Sequence, residues 1–510
     1  MKDSVLDHIL AHPPVGGRIT FARLDGTETF ELTRLHELAG QLAAGLSRLG
    51  IGPGDRIGIL SANRLEWVLL DLAALRLKAV TAGFEPGKFE PDAALIAKYG
   101  LTLLFTDRPC EAAGALPMEE ALRLATEDAP TPAAEPYSPL EVTTIKFTSG
   151  STGEPKGLGA TAGSIDSSLH AVQELFQHGP DDSLFVFLPL SLLQQRYWVY
   201  SALRHGHDLT VCSYEAAFAA LRRARPTVVM GVPAFFESAR RHIEGRARRS
   251  GQPVAVQARQ LFGDRIRYLW TGSAPASAAL LRFFTEAGLP IHEGYGLNET
   301  CIVAKNHPGA HREGSVGRVV PGKQVLLDED GVISVRSDHP VNVRYEYAAP
   351  GVSEQVFQPG GIVRTGDLGH LDEDGFLFIR GRADDVIVLE NGKKIIVRPI
   401  EEQLKAAGSA IEECVVFCPA QTDLVAVVSP PSLPLLPADE SAIEQQLAAA
   451  NAALGPDEQI SRVVPARERF SIENGLLTSQ FKPRRPQIRD AYATELDNTL
   501  EGIRVRTDAR

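Results

Sequence analysis

The sequence predicts an α/β protein with a large N-terminal domain and a small mobile α+β C-terminal domain. The chain has 510 residues, more than a single hydrophobic core usually holds. Residues 33–110 alternate amphipathic helical patterns with short apolar runs, which is typical of layered α/β subdomains around a parallel sheet. Residues 314–380 carry short strands separated by Gly/Asp turns, which indicates an antiparallel β region. We therefore predict domains at 1–383 and 384–510.

The individual elements follow from the spacing of apolar residues. Residues 35–49 and 64–78 have apolar side chains at helical spacing, whereas 54–60 and 101–106 are strand-like runs. Residues 108–140 are rich in Ala, Pro and Glu, and we expect a surface excursion there. The C-terminal part starts with charged residues and continues as strand, helix and strand. Further strands are predicted at 183–188, 208–211, 227–232 and 266–270.

Composition and charge exclude several classes of protein. Hydrophobic residues make up 44% of the chain and charged residues 23%, and the formal net charge is −12. A nucleic-acid binder would need a basic surface, so we expect no nucleic-acid partner. The longest apolar stretch, 67–80, is interrupted by charges and predicts an amphipathic helix, with no transmembrane segment; peripheral membrane contact stays open. The N-terminus lacks a signal-peptide core and the five cysteines form no metal-ligand pattern, which predicts a cytoplasmic protein.

The most informative stretch is residues 144–157, in which a β-type run breaks into a loop of small and hydroxyl residues. Glycines let the backbone bring its N–H groups close to an anion, hydroxyls add donors, and a lysine adds positive charge. Together they predict a cradle for a polyphosphate. The loop is not a Walker loop, because Gly-x-x-x-x-Gly-Lys-Ser/Thr cannot be aligned on it. The candidate phosphate-binding residues are Thr148, Ser149, Gly150, Ser151, Thr152, Gly153 and Lys156.

Further motifs follow this loop in order. Gly-Ser-Ala-Pro occupies 272–275 after a predicted strand, and Glu-Gly-Tyr-Gly-Leu-Asn-Glu-Thr occupies 293–300. Arg-Thr-Gly-Asp ends at Asp367, Gly-Arg-Ala-Asp-Asp occupies 381–385, and a basic run contains Lys482. With the loop, these segments resemble the motifs of the adenylate-forming superfamily, which includes acyl-CoA synthetases, firefly luciferase and peptide-synthetase adenylation domains. Three stretches look most like long-chain fatty acyl-CoA synthetases, namely 188–196, 226–237 and 477–485.

The resemblance implies roles for particular residues. The loop would hold the β- and γ-phosphates of ATP, and Glu299 with Thr148 would bind Mg²⁺, which suits hard oxygen ligands. Asp367 would accept both ribose hydroxyls, and Arg382 would donate to the ribose. Lys482 would reach the α-phosphate and the carboxylate, so Lys482, Glu299 and Thr148 are the implied catalytic residues. The other implied nucleotide-binding residues are Gly272, Ser273, Ala274, Pro275, Tyr295, Gly296, Asn298 and Thr300.

The resemblance also implies the reaction. A carboxylic acid, with a fatty acid as first choice over an aryl acid, would attack the α-phosphate of ATP, release pyrophosphate and form acyl-AMP. The C-terminal domain would then rotate about Asp384, and the thiol of CoA would displace AMP.

Two departures from the family pattern leave alternatives open. Asn298 stands where the family usually has threonine, and Leu192 stands where a histidine or an aromatic residue often gates the carboxylate pocket. One alternative is an acyl-AMP ligase that loads the phosphopantetheine arm of an acyl-carrier protein. The other is a non-catalytic ligand-binding relative. A hydrolase is excluded because the sequence has no Gly-x-Ser-x-Gly elbow.

Overall fold

A computed structural model describes residues 3–125, 130–149, 155–419, 423–478, 481–498 and 502–504. Several helices begin at residues whose side chains cap them. In the short helix Ala93–Tyr99, the side chain of Asp92 accepts from the N–H of Leu95 at 2.7 Å, and Gly100 ends the helix with a φ of 60°. The helices are α1 (Val5–Ala11), α2 (Leu32–Arg48), α3 (Leu65–Arg76), α4 (Ala93–Tyr99), α5 (Glu119–Ala125), α6 (Ala162–Phe176), α7 (Leu193–His205), α8 (Ala217–Ala224), α9 (Pro233–Ser250), α10 (Val254–Phe262), α11 (Ala278–Glu286), α12 (Val397–Ala406), α13 (Pro437–Ala452), α14 (Arg485–Ala491) and α15 (Ala493–Asp497).

The strands are mostly short and rich in apolar residues, as buried parallel strands are. They are β1 (Arg18–Ala22), β2 (Thr27–Glu31), β3 (Arg56–Leu60), β4 (Val80–Phe84), β5 (Leu103–Thr106), β6 (Ala115–Pro117), β7 (Val142–Ser149), β8 (Pro155–Thr161), β9 (Ser183–Val186), β10 (Asp208–Cys212), β11 (Val228–Gly231), β12 (Tyr268–Thr271), β13 (Ile291–Leu297), β14 (Cys301–Lys305), β15 (Arg318–Val319), β16 (Lys323–Leu327), β17 (Val332–Ser337), β18 (Phe357–Gln358), β19 (Ile362–Leu371), β20 (Leu377–Arg382), β21 (Val386–Val388), β22 (Lys394–Ile396), β23 (Glu413–Phe417), β24 (Leu424–Ser429) and β25 (Ile460–Pro465).

Two mainly parallel sheets form the bulk of the N-terminal part. One has the order β6-β5-β3-β4-β7-β8, and the other has the order β15-β14-β13-β12-β11-β9-β10-β1-β2. Each sheet has antiparallel pairs only at its edges, namely β7·β8 in the first and β1·β2, β13·β14 and β14·β15 in the second. The largest hydrophobic cluster takes side chains from both sheets and from α2, α3, α6 and α7 between them. This arrangement confirms the predicted layered α/β subdomains.

An antiparallel sheet follows, as the turn-rich sequence predicts. Its order is β16-β17-β19-β18, with β20 paired to β19. Directly after β20 the chain forms a single 3₁₀ turn, Ala383–Asp385, and then enters the C-terminal part.

The C-terminal part is a separate α+β layer structure. Strands β23, β24 and β25 form a sheet whose side chains alternate between two faces. Cys414 and Val416 point into a cluster with α12 and α13, whereas Val415 and Phe417 point into a second cluster with α14 and α15. Both faces of this small sheet are therefore covered by helices.

The prediction of a surface excursion at 108–140 is wrong for residues 115–125, whereas residues 130–140 contain no helix or strand and are mostly exposed. Residues 115–125 contain β6, which extends the first sheet, and α5, whose residues Ala121 and Leu124 are buried against α2. The two helices approach closely, since a Cβ added to Gly45 would lie 2.8 Å from the carbonyl oxygen of Leu124. The small side chains in this region allow the helices to pack closely. Composition alone does not distinguish such a helix from a loop.

Candidate active site

The candidate site lies where strands β11, β12 and β13 end and the antiparallel sheet begins. Tyr295 of β13 donates its hydroxyl hydrogen to Oδ2 of Asp367 on β19, at 2.6 Å. Nη1 of Arg382, on β20, donates to the other carboxylate oxygen of Asp367 at 3.1 Å and to the carbonyl oxygen of Thr365 at 2.9 Å. Three residues from separate sequence motifs thus meet around one buried carboxylate.

Burial and this carboxylate together raise the pKa of Tyr295 well above its usual value. The phenol therefore stays protonated and works as a hydrogen-bond donor at every physiological pH. The backbone N–H of Asp367 donates to Oγ1 of Thr365 at 3.0 Å, which holds the strand that carries the carboxylate.

Lys482 reaches this group from the C-terminal part. Burial lowers its pKa, the charge of Asp367 opposes that shift, and the charges of Arg382 and Arg398 reinforce it. A compact turn holds the lysine, in which the N–H of Lys482 donates to Oγ1 of Thr478 at 3.1 Å. The half-buried Lys482 therefore lies in the electrostatic field of the Asp367–Arg382 pair.

Contacts between the two parts keep this arrangement in place. Phe481, which has a φ of 58°, places its ring 5.3 Å from that of Tyr214 and packs against the hydrophobic cluster of the second sheet. Leu192, the predicted gate residue, packs against the same cluster. Glu412 of the C-terminal part forms an ion pair with Arg241 of α9 in the N-terminal part. It also pairs with Arg469 of its own part.

Glu299, the predicted magnesium ligand, lies in the turn between β13 and β14. Its Oε1 accepts from the hydroxyl of Tyr345 at 2.6 Å, and Nζ of Lys156 lies 5.3 Å from the centre of the Tyr345 ring. Tyr345 thus connects the candidate metal ligand with the lysine of the phosphate loop. No sequence motif pointed to Tyr345, whose one local signal is its aromatic ring between the charged residues Arg344 and Glu346.

The phosphate loop is closed at its base by a strand pair. Thr148 and Ser149 at the end of β7 pair with Lys156 and Pro155 of β8. Gly157 exchanges two backbone hydrogen bonds with Glu346, of 3.0 and 2.7 Å, which ties the loop to the segment that carries Tyr345. The predicted residues Gly150, Ser151, Thr152 and Gly153, and the side chains of Thr148 and Ser149, lie outside the described residues.

The predicted nucleotide-binding segment 272–275 lies beside the glycines of β13. The two backbones approach closely, since a Cβ on Gly272 would lie 3.3 Å from the carbonyl oxygen of Gly294. A Cβ on Gly296 would lie 2.0 Å from the carbonyl oxygen of Cys301, so only glycine fits at that position. Gly272, Ser273, Tyr295 and Gly296 line one cavity. Ala274 and Pro275 lie in the turn that follows but do not line it.

Two of the predicted residues next to Glu299 lie in the hairpin turn. The buried hydroxyl of Thr300 accepts from the N–H of Leu297 and donates to the carbonyl oxygen of Cys301, each at 3.0 Å. Thr300 therefore stabilises the turn through its side chain. Asn298 occupies the same turn and is only partly buried.

The hinge candidate Asp384 lies in the 3₁₀ turn with 82% of its side chain exposed. Its carboxylate is 3.4 Å from Nη2 of Arg382, whereas its neighbour Asp385 pairs with Nε of Arg485 at 3.1 Å. Asp384 is thus the less constrained of the two aspartates, and its hinge role stays a prediction.

Glu293, which precedes Tyr295 in the motif, has an unusually high pKa for a glutamate. Burial raises its pKa to about 7, although the N–H of Ala276 donates to its Oε1 at 3.2 Å and favours the ionised form. Between pH 4.5 and 7 the unfolded chain would ionise this group while the folded chain keeps it protonated. The folded state therefore loses stability as pH rises through this window, by about 3 kcal/mol at most.

We expect Glu293→Gln to remove this part of the pH dependence. The free energy of unfolding, measured in urea from pH 4.5 to 8, should fall less steeply with rising pH in the variant than in the parent protein. Glu373→Gln, in an exposed turn, is the matched control and should leave the slope unchanged. Equal slopes for Glu293→Gln and the parent protein would contradict the raised pKa.

Sequence comparison identifies the family. A family model described as "AMP-binding enzyme" matches residues 15–339, and a second one, "AMP-binding enzyme C-terminal domain", matches residues 384–502. The chain belongs to the AMP-binding enzyme family. Within this family, the long-chain-fatty-acid–CoA ligase FadD15 of Mycobacterium bovis is 30% identical over an alignment of 441 positions, gaps included, that covers 72% of this chain and 72% of that protein.

Solved structures of AMP-binding enzymes have the same fold. ATP-bound MatB from Rhodopseudomonas palustris has a TM-score of 0.80 at 21% identity, covering 98% of this chain and 100% of that one. The O-succinylbenzoate CoA synthetase MenE from Bacillus subtilis, in complex with ATP and a magnesium ion, has a TM-score of 0.76 at 21% identity, covering 96% and 99%. The large N-terminal and small C-terminal domains of the family are thus present here. Among the described residues, none of the helices has the length and apolar character that crossing a membrane requires.

Proposed function

We propose that this protein is an acid–thiol ligase that activates a fatty acid with ATP, forms acyl-AMP and pyrophosphate, and transfers the acyl group to the thiol of CoA. The observation that carries the proposal is the group formed by Asp367, Arg382 and Tyr295, with Lys482 close enough for its charge to interact with those of Asp367 and Arg382. These residues come from four separate sequence motifs, and a decayed, non-catalytic relative would have little reason to keep a half-buried lysine near a buried carboxylate. The names of the curated relatives support CoA as acceptor.

In the first half-reaction a carboxylate oxygen attacks the α-phosphorus of ATP, and the bond to pyrophosphate breaks. Two anions approach each other, so catalysis depends on positioning and on neutralising charge. Asp367 would accept from the ribose hydroxyls and fix the nucleotide. Lys482 would donate to the oxygens on which charge accumulates between the acid and the α-phosphate.

Magnesium fits the residues present through Glu299, whose carboxylate is a hard oxygen ligand and which Tyr345 connects to Lys156. Mg²⁺ commonly takes one or two carboxylates and completes its coordination with substrate phosphates and water. Bound there with Thr148, it would neutralise charge on the departing pyrophosphate. Tyr345 would orient Glu299 through its hydrogen bond.

In the second half-reaction the thiolate of CoA attacks the acyl carbonyl, and the bond to AMP breaks. We propose that residues 384–510 rotate about Asp384 between the two steps, which withdraws Lys482 and admits the thiol. The exposed 3₁₀ turn at the end of β20 supports this position for the hinge.

The proposal is tested by measuring acid-dependent pyrophosphate release over a panel of fatty and aryl acids, with CoA or a holo-carrier protein added as acceptor. We expect release with fatty acids and acylation of CoA. Acylation of the carrier protein alone would reassign the acceptor. No release with any acid, while ATP still binds, would contradict the proposal and make Asn298→Thr the next variant.

Asp367→Ala should weaken ATP binding because it removes both acceptor oxygens from the proposed ribose site. Each hydrogen bond to a charged group contributes about 1.5 to 3 kcal/mol, so the KM for ATP should rise on the order of tenfold to a hundredfold. The parent protein should also discriminate against 2′-deoxy- and 3′-deoxy-ATP, and Asp367→Ala should not. Glu354→Gln, at an exposed position, is the control. Unchanged discrimination in Asp367→Ala would remove Asp367 from the ribose site.

A further inference from the structure

The cavity beside the nucleotide residues continues into an apolar pocket. Beyond Gly272 and Tyr295 it is lined by Met230, Gly231, Trp198 and Trp270, and its volume is about 100 Å³. Gly231 lines the pocket and packs tightly against the core beside it, since a Cβ there would lie 3.1 to 3.2 Å from three phenylalanine rings of that core. Since the pocket adjoins the proposed site of acyl transfer, it is where the body of the acid would lie.

Trp270 is a rigid wall of this pocket. The ring of Phe176 stacks on it at 5.2 Å, and Nζ of Lys305 lies 3.8 Å from the ring centre. Lys305 is fully buried and donates to the carbonyl oxygen of His292 at 2.6 Å, so its position is fixed as well. With contacts on its faces, the indole of Trp270 has no space into which it could turn to lengthen the pocket.

Trp198 of α7 closes the end of the pocket against Trp270. The two indoles meet edge to face at 5.3 Å, and Trp198 is only 5% exposed. Its ring also meets that of His178 edge to face at 5.7 Å. The neighbouring Tyr197 is held by its hydroxyl, which lies 3.2 Å from Sγ of Cys301.

A second, smaller cavity lies directly behind this end wall. Its volume is about 10 Å³, room for about one water molecule, and it shares Val172, Tyr197 and Trp198 with the first pocket, while Leu169 and Ser201 line its other sides. Trp198 is therefore a partition between two spaces, with the acyl pocket on one side and a mainly apolar void on the other.

We propose that Trp198 is a specificity-determining residue that stops the acyl chain, so that the substrate is a short- to medium-chain fatty acid. The inference rests on the proposed function and narrows its substrate. The tail of the acid ends against the Trp198–Trp270 pair, and a long chain would have to displace a packed indole. In this respect the pocket differs from what the long-chain names of the curated relatives would lead one to expect.

The test compares hexanoate, decanoate and palmitate in the pyrophosphate-release assay. In the full-length parent protein, kcat/KM for hexanoate or decanoate should be at least about tenfold higher than for palmitate. Each methylene that the pocket excludes adds to the difference in kcat/KM between the acids. Trp198→Ala joins the two cavities and should shift the ratio of palmitate to hexanoate upwards by about tenfold or more. Trp198→Phe, which keeps an aromatic partition, should shift the ratio less.

Leu203→Ala is the matched control, because Leu203 is buried on the same helix and lines neither cavity. It should lose stability without changing the chain-length ratio. Equal use of palmitate and hexanoate by the parent protein would overturn the inference, as would an unchanged ratio in Trp198→Ala or a preference for aryl acids over all three. If Trp198→Ala does not fold, the ratio of palmitate to hexanoate use is compared between Trp198→Leu and the parent protein instead. Absence of pyrophosphate release with every acid would instead be a failure of the proposed function.

Discussion

Replacing Lys482 by alanine should lower the rate of acid-dependent pyrophosphate release by about 10²- to 10³-fold, the usual cost of removing one donor that stabilises charge in the transition state. The lysine lies in the field of Asp367 and Arg382, partly desolvated, so its charge is poorly screened by water. The KM for ATP should change much less, because the ribose and phosphate contacts remain.

The rate of the second half-reaction shows whether Lys482 acts in catalysis of the first step or only stabilises the structure. When acyl-AMP is supplied, Lys482→Ala should form the CoA thioester at nearly the parent rate, because Lys482 would have left the site by then. Arg489→Ala, on the exposed side of α14, is the control and should affect neither step. Equal loss of both half-reactions in Lys482→Ala would refute the proposed alternation of the C-terminal domain.

Asp71→Ala should reduce the free energy of unfolding by about 3 to 5 kcal/mol, because it leaves a buried guanidinium without its counter-ion. Nη1 of Arg196 lies 2.7 Å from Oδ1 of Asp71, and their side chains are 1% and 4% exposed. Tyr200 donates to the second carboxylate oxygen at 2.5 Å, and the guanidinium lies 5.1 Å from the ring centre of Trp67.

A double variant shows whether the unpaired charge or the lost packing causes the decrease in the free energy of unfolding. Replacing both partners, as Asp71→Leu with Arg196→Met, should cost less than Asp71→Ala alone, since no unpaired charge stays in the core. Urea denaturation of the parent protein, Asp71→Ala, Asp71→Leu, Arg196→Met and the double variant measures this difference. If the double variant is destabilised by the sum of the two single changes, the pair is not coupled and the argument is wrong.

The sequence was most informative where chemistry is concentrated in short motifs. Asp367, Arg382 and Tyr295 could be named because each occupies a characteristic tripeptide or longer segment, and the structure brings them together. Their roles in binding ATP stay predictions, as do the domain boundary and the hinge at Asp384.

Long-range packing was not predictable in the same way. Tyr345 contacts Glu299 across 46 residues, and no local pattern connects the two. The pairing of Gly157 with Glu346 is a backbone contact between strand β8 and a loop far along the chain. Helix α5 was missed because small residues serve tight helix packing as well as loops. Periodicity shows which face of a helix is buried, and it does not show that Trp198 and Trp270 meet at the end of one pocket.

The central claim, that this protein forms an acyl-adenylate, is tested most directly by oxygen labelling. A short fatty acid labelled with ¹⁸O in its carboxylate is turned over with ATP and CoA, and the products are analysed by mass spectrometry. Attack of the carboxylate on the α-phosphate, followed by thiol displacement, leaves one labelled oxygen on AMP, and we expect that result. Label in inorganic phosphate, or AMP without label, would contradict an acyl-adenylate intermediate and with it the proposed reaction.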